Sequence, residues 1–427
     1  MKRALACVLL VSACSAAPDE SSSTKTESAV ASAASAAAPA TAVAAAKSAE
    51  PGDVDEVPAE RFANGARAFG DVRDALLKSY YADGLTEDDL YRAATAGMLE
   101  KLEPRMKKYN QLLSPHEISE LRNDLHGEVV GIGVQISFDE ASGYTDVLGS
   151  LPGSPAEKAG LVTGDKIVTV NGKLYKGMHL ADVVADIRGK SGEAVKLSVL
   201  HGDKLVSMTL ARAKVQYENP IGQMFGDHVG YVRIPSFTEK TPAAVKDALL
   251  ALERDGAKAL VVDLRGAPGG SFEKAVETAE LLVPAGAPIV ALHKRGKKEE
   301  LRSSTGQPIL GNVPAVVLVD HDTASGAEFL AAALHDERHA RLVGSRTFGK
   351  WSVQSLDDLP NGYAAKYTIG LFATPAGKSY EGVGLAPDIE LATDGPSLGR
   401  ALAAKPADRL AIDVPLRTAK ELLAPQP

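Results

Sequence analysis

Ala315-Val316-Val317-Leu318-Val319-Asp320-His321-Asp322-Thr323-Ala324-Ser325-Gly326-Ala327-Glu328 is the stretch whose reading decides how the rest of the chain is understood. A short β-branched run, a polar turn and the helix formers Phe329 to Leu334 put Ser325 on the turn that opens a helix. At a helix start, free backbone N–H groups and the positive end of the dipole favour the oxyanion that forms when a hydroxyl attacks a carbonyl. Gly326 leaves its own N–H unobstructed. Taken alone, a serine at this position also fits a helix N-cap.

A serine at its ordinary pKa needs a base within reach, and a lysine serves if it is neutral. Burial lowers an ammonium's pKa, so a desolvated Lys350 in Thr347-Phe348-Gly349-Lys350-Trp351-Ser352-Val353-Gln354 is the candidate, with Gln354 placed to aim the amine without adding a charge. A second motif, Val261-Val262-Asp263-Leu264-Arg265-Gly266-Ala267-Pro268-Gly269-Gly270, reads as a strand followed by a glycine loop at its carboxyl end, where open α/β sheets place their sites. No Lys-Ser or Lys-Thr follows, which excludes a P-loop. From residue 213 the chain alternates. Strands are expected at Val229 to Ile234, Lys258 to Asp263, Pro288 to Leu292 and Val313 to Val319, and helices at Pro242 to Arg254, Ser271 to Val283 and Ser325 to Asp336, which predicts helices on a largely parallel sheet.

Together, Thr-Ala-Ser-Gly-Ala-Glu, then Thr-Phe-Gly-Lys with Lys350 twenty-five positions after Ser325, then Val-Gln, resemble the carboxyl-terminal processing peptidases. The resemblance runs from about Phe69 to Leu391 and includes a closing motif at Tyr380-Glu381-Gly382-Val383-Gly384. It implies a serine endopeptidase with a Ser-Lys dyad, on an α/β protease core related to the crotonase and Clp protease fold, with an inserted PDZ domain and an amino-terminal helical segment. It also implies that Gly269 or Gly270 joins Gly326 in an oxyanion hole, each donor being worth roughly 3 kcal/mol in the transition state. Asp263, Arg265 and Glu328 become scaffolding ions, with surface charge as the alternative. Two departures stand out: Ala267 replaces the family's usual asparagine, and Leu102-Glu103-Pro104-Arg105-Met106 replaces its usual Leu-Asp-Pro-His-Ser.

Residues 127–212 resemble a PDZ domain. In Gly131-Ile132-Gly133-Val134 a glycine pair exposes successive N–H groups, a nest for a terminal carboxylate, ahead of an alternating strand to which a peptide can add. Gly153-Ser154-Pro155 opens a helix, Asn171-Gly172 closes a hairpin, and Val183, Val184 and Ile187 are candidates for the ligand's last side chain, two of the three being equally suited to the core. Residues 59–126 read as helical, with Thr86 an N-cap before an acidic first turn.

The first 13 residues, with Lys2-Arg3 and an apolar run to Val11, read as an export signal, and Val11-Ser12-Ala13-Cys14 resembles a lipobox that would leave Cys14 as the lipidated first residue. Residues 14–58, rich in Ala, Ser, Thr and Pro, cannot bury enough surface to offset their ordering entropy and read as a tether. In a cell with two membranes, Ser15 resembles the outer-membrane sorting class, on the periplasmic side. A 427-residue chain with 45% hydrophobic and 24% charged residues is ordinary for a globular protein, and its net charge of −8 argues against nucleic acid. His335 and His339 lie one turn apart but lack the glutamate and third ligand of a zinc site, so no metal is expected, and no organic cofactor. The expected partners are proteins or peptides with apolar carboxyl-terminal ends, the membrane through lipid on Cys14, and, as candidates, an adaptor lipoprotein and a second copy of the chain. The rival functions are a catalytically inactive PDZ peptide-binding scaffold and a crotonase-like acyl-transfer enzyme, for which neither Lys350 nor a PDZ insertion is expected.

Overall fold

The computed structural model describes residues 64–102, 109–139, 142–151, 153–177, 180–216, 221–392 and 395–424. The expected signal, Cys14 and the tether lie outside the described residues, as does most of the Leu102 to Met106 segment. The described chain divides into a helical unit that ends at Thr95 and a larger body that begins at Ala96. Two helices, Gly65–Ser79 and Glu87–Glu100, lead it. Thr86 caps the second reciprocally: its hydroxyl accepts the Asp89 N–H at 3.2 Å and the Asp89 carboxylate accepts the Thr86 N–H at 3.2 Å. Among the described residues no helix is long and apolar enough to cross a membrane.

The segment to residue 126 is not helical throughout. Gln111–Leu113 is a strand paired with Ala364–Ala373, and it is followed by the helix Pro115–His126, which Ser114 and Glu117 cap as a box. Next, Glu128–Gly131 pairs antiparallel with Ala213–Gln216. This ribbon brings the entrance and exit of the intervening module side by side, so the module is inserted without interrupting the rest of the body. Inside it, Val134–Asp139 is an edge strand, followed in the sheet by Tyr144–Ser150, Lys166–Val170, Ala194–His201 and Lys204–Ala211. Asn171 and Gly172 both take positive φ, 49° and 83°, the condition for a two-residue hairpin turn of primed type. Val183 and Ile187 are buried in the module's core and Val184 is half-buried, so Val184 is the one left to meet a ligand.

The rest of the larger body has two sheets where the sequence suggests one. The first runs Ile221–Phe225, Val229–Arg233, Ala259–Asp263, Ala315–Val319, Arg341–Gly344, Ile389–Glu390, with only the first strand antiparallel. Val229–Arg233, Ala259–Asp263 and Ala315–Val319 are buried along their whole length, as parallel strands are when helices cover both faces. Period-two alternation sorts them: Val232, Val262 and Val317 pack with Leu249, Phe272 and Leu330 of the helices on one face, while Tyr231, Val261 and Val316 pack with Leu416 and Ala419 on the other. Pro288–Lys294 belongs to the second sheet, between Ala364–Ala373 and Glu300–Ser303, with Ser352–Asp358 also on Ala364–Ala373. The pairing of Ala291 with Ala373 joins segments far apart in the chain, and no local pattern announces it.

Residues beyond Leu391 carry no motif, yet they close the core. Helices Gly395–Ala403, Pro406–Ile412 and Val414–Leu423 follow, and the last lies on the first sheet. The Arg265 guanidinium is clamped between two carboxylates, Asp263 at 2.9 and 2.7 Å and Asp413 at 2.8 Å twice, all three groups almost fully buried. Tyr231 donates its hydroxyl to Asp263 at 2.8 Å, and the Arg409 guanidinium stacks 4.5 Å from the Tyr231 ring centroid. Burial opposes ionisation of Asp263, but Arg265, Arg233 and Arg409 outweigh it and hold its pKa at about 2.

Removing one partner of such a cluster leaves a buried charge uncompensated, so Asp413→Ala is expected to cost about 3–5 kcal/mol in urea unfolding, against less than about 1 kcal/mol for Asp358→Ala at the exposed Arg122–Asp358 pair. Because the folded pKa of Asp263 is depressed, its contribution is present above the unfolded value of about 4. It is lost as pH falls from there through about 2, and melts over that window should show stability dropping with acid.

Candidate active site

Ser325 sits where the strand Ala315–Val319 turns into the helix Gly326–Arg338. It occupies the N-cap position without acting as a cap. Its backbone, φ 57° and ψ −116°, is outside the extended region an N-cap uses. Its Oγ is buried with no hydrogen-bond partner among the described residues. An unpaired buried hydroxyl on a positive-φ residue is a costly arrangement, of the kind found where a group is held ready for chemistry. Gly326 at the first helical position has no carbonyl one turn back to receive its N–H. A Cβ there would lie 2.8 Å from Ala275 Cβ, so the close approach of the neighbouring helix requires glycine.

The glycine loop lies against this turn. Asp320 accepts the Gly266 N–H at 2.9 Å and the Thr323 N–H at 3.0 Å, Thr323 donates its hydroxyl to the Leu264 carbonyl at 2.9 Å, and the Ala324 N–H reaches the Ala267 carbonyl at 2.9 Å. Ala267 therefore engages the serine turn through its backbone, which any side chain permits. A Cβ on Gly269 would meet Ser325 Cβ at 2.8 Å and the Gly326 nitrogen at 3.1 Å. The Gly269 carbonyl accepts the Phe237 N–H at 3.0 Å. In a trans peptide the next N–H points the opposite way, so that of Gly270 faces away from the Phe237 N–H.

Lys350 is fully buried in the loop that leads into the strand Ser352–Asp358 of the second sheet. What joins it to the serine is Glu328, itself fully buried. One carboxylate oxygen accepts the Ser325 N–H at 2.9 Å and the Lys350 N–H at 2.8 Å; the other accepts the Thr347 hydroxyl at 2.6 Å and the Gly349 N–H at 2.8 Å. Burial pushes the Glu328 carboxyl up from its usual range, against these hydrogen bonds, which favour the ionised form. The closing motif braces the lysine loop from behind: Gly382 donates to the Gly349 carbonyl at 2.7 Å, and Glu381, its pKa raised by burial, accepts the Trp351 N–H at 2.6 Å. Gln354 donates its amide to the Ser352 and Thr368 hydroxyls at 3.1 and 3.3 Å.

Asp263 and Arg265 stand behind the glycine loop in the buried ion cluster and touch none of these groups. In the inserted module, Ile132 and Gly133 turn their carbonyls inward, to the N–H groups of Ala156 and Leu151 at 2.8 Å each. The N–H groups of Gly133 and Val134 consequently point the other way, beside the free edge of Val134–Asp139. Asp320, Thr347 and Glu381 are working parts of the site that the sequence reading passes over, although Asp-x-x-Thr signals the turn that Asp320 makes. No group of three or more His, Cys, Asp or Glu suited to a metal occurs among the described residues.

Fold and site together define a serine-peptidase body that carries a PDZ domain. A model described as peptidase family S41 matches residues 228–391, and a PDZ domain model matches residues 147–200. The chain is 34% identical over 316 residues to the carboxy-terminal processing protease CtpA of Bacillus subtilis (strain 168), spanning 74% of this chain and 66% of that protein. It is 34% identical over 358 residues to the chloroplastic C-terminal processing peptidase of Tetradesmus obliquus, spanning 79% and 75%. Among solved structures it is similar to a photosystem II D1 C-terminal processing protease, with 32% identity and a TM-score of 0.53 over 80% of this chain and 92% of that one. The chain belongs to the carboxyl-terminal processing protease family of serine peptidases.

Replacing Glu328 with Gln keeps the shape but turns an amide NH2 toward N–H groups that need an acceptor. Glu328→Gln is expected to destabilise the fold by about 1.5–3 kcal/mol and to speed amide hydrogen exchange at Gly349 and Lys350 at least about tenfold, read by mass spectrometry.

Proposed function

We propose that this chain is an endopeptidase that cleaves exported proteins near carboxyl-terminal segments held by its PDZ domain, through a Ser325–Lys350 dyad. The observation that carries the reading is the Glu328 carboxylate, whose single oxygen holds the backbones of both Ser325 and Lys350. The unpartnered Ser325 Oγ beside the Gly269-Gly270 loop supports it. A substrate's end would enter along the Val134–Asp139 edge, its carboxylate on the amides that follow Ile132 and its last side chain near Val184.

Lys350, neutral, takes the Ser325 proton as Oγ bonds to the scissile carbonyl carbon and the carbonyl electron pair moves onto oxygen. The N–H groups of Gly270 and Gly326 then hold that oxyanion. As the C–N bond breaks, the ammonium returns its proton to the leaving amine, and a water activated by the same amine releases the acyl group. Gln354, fixed by Ser352 and Thr368, orients Lys350. No step calls for a metal or an organic cofactor.

The same proposal places the enzyme on the cell envelope, held by lipid on Cys14 at the end of its tether and, in a cell with two membranes, on the periplasmic side of the outer one. An adaptor lipoprotein and self-association remain compatible with this arrangement.

Incubated with an unfolded protein bearing an apolar carboxyl terminus, the parent is expected to cleave, whereas Ser325→Ala and Lys350→Ala should each lose at least about 10³-fold in kcat/KM. Cleavage retained by Ser325→Ala would refute the dyad. For the anchor, cells fed an alkyne fatty acid should label the parent chain and not Cys14→Ser; equal labelling of both would remove Cys14 as the lipid site.

A further inference from the structure

The lysine's amine has a neighbour that neither the motifs nor the mechanism above employs. Lys350 Nζ lies 5.0 Å from the centroid of the Tyr109 ring, and both residues are buried, Tyr109 to 7% exposure and Lys350 to none. Meanwhile Ser325 Oγ has no hydrogen-bond partner among the described residues, Lys350 included, so in this state the amine lies over the ring and is not bonded to the nucleophile. Tyr109 reaches the site from the far side of the PDZ insertion. Its neighbour Asn110 accepts the Thr368 N–H at 2.8 Å, and Gln111 to Leu113 pair in register with Lys366 to Ala364. Thr368 also takes the Gln354 amide on its hydroxyl. One residue of the second sheet thus bonds both Asn110, next to the ring, and the Gln354 amide.

We infer that Tyr109 is a positioning residue for Lys350: its ring face holds the amine and stabilises the ammonium formed when the amine takes the Ser325 proton. The inference rests on the dyad reading. A desolvated amine is a good base only if the charge it acquires has somewhere to reside, and an aromatic face supplies that without a carboxylate to lock the proton in place. Among the described residues, the charged groups set against the lysine segment include Glu328, which accepts the Lys350 backbone N–H, and Glu381, which accepts the next one. In the proton transfer the Oγ–H bond breaks and an Nζ–H bond forms over the ring. The oxygen's electron pair goes to the electrophile, and the proton later leaves with the departing group.

The test is the rate at which a fluorophosphonate modifies the full-length chain as a function of pH. The probe needs no protein substrate: an Oγ–P bond forms, fluoride leaves, and the proton passes to Lys350. Removing the ring disfavours the ammonium, so Tyr109→Leu should move the acid limb of the profile down by about 0.5–1.5 pH units and lower its plateau roughly tenfold. Tyr109→Phe, which keeps the ring, should hold the limb within about 0.3 units of the parent. Phenylalanines with one, two and three ring fluorines at position 109 should step the limb down in order, and they keep the test decisive if Tyr109→Leu does not fold. A limb that stays put while the ring is removed or fluorinated overturns the role of Tyr109 and leaves the dyad standing. Absence of any labelling that Ser325→Ala abolishes overturns the dyad as well.

Discussion

A single buried carboxylate organises the catalytic region. Glu328 lies on the helix that Ser325 opens, and both its oxygens are occupied by N–H and O–H donors from two separate loops. One turns from the first sheet into a helix and the other crosses from the first sheet to the second, so without an acceptor between them each would present unpaired backbone N–H groups to a dry interior, at a cost of about 1–3 kcal/mol apiece. A carboxylate meets that need because it accepts in several directions and donates in none when ionised. The glycines on the lysine side follow from it. A Cβ at Gly349 would strike the Gly384 nitrogen at 2.6 Å, and one at Gly384 the Thr347 carbonyl at 2.0 Å, so only glycine lets the closing motif press the lysine loop onto Glu328.

Around this clamp the site gathers residues from every part of the larger body. Tyr109 and Asn110 precede the PDZ domain, the glycine loop follows it, and Asp413 anchors the strand under that loop from near the carboxyl terminus. The Glu128–Gly131 and Ala213–Gln216 ribbon makes this possible, since a module whose ends leave together does not separate the segments on either side. Helix Gly395–Ala403 adds a further link: Leu398 packs near Gly266 of the glycine loop, and the helix also runs close to the strands Val134–Asp139 and Tyr144–Ser150 of the PDZ domain. The PDZ domain and the glycine loop accordingly share a structural neighbour.

Much of this is legible in the sequence because it is local. The strand, turn and helix around Ser325, the glycine loop at a strand's end, the Asn171-Gly172 turn and the Thr86 cap each depend on residues within a few positions of one another. Val183 and Ile187 mark where the pattern stops short: helical spacing identifies an apolar side but not whether a ligand or the core covers it. The second sheet fails differently. Gln111–Leu113 is three residues long and joins a strand more than two hundred positions away, and Pro288–Lys294 looks like any other strand following a helix.

By itself the sequence determined the chemistry available: a serine at a helix start, a lysine and a glutamine at set spacing, glycines where a backbone must be approached, and a module with a peptide-binding edge. It did so because side-chain type and backbone permissiveness are properties of single residues and short runs. Only the tertiary structure decided which groups meet. That Glu328 joins two loops, that Arg265 is shared between Asp263 and Asp413, and that Tyr109 lies over the lysine are pairings between distant segments. Burial is likewise a property of the packed whole. It raises the Glu328 carboxyl, while the arginines gathered around Asp263 lower that one to about 2, and the same chemical group departs in opposite directions according to what the fold places beside it.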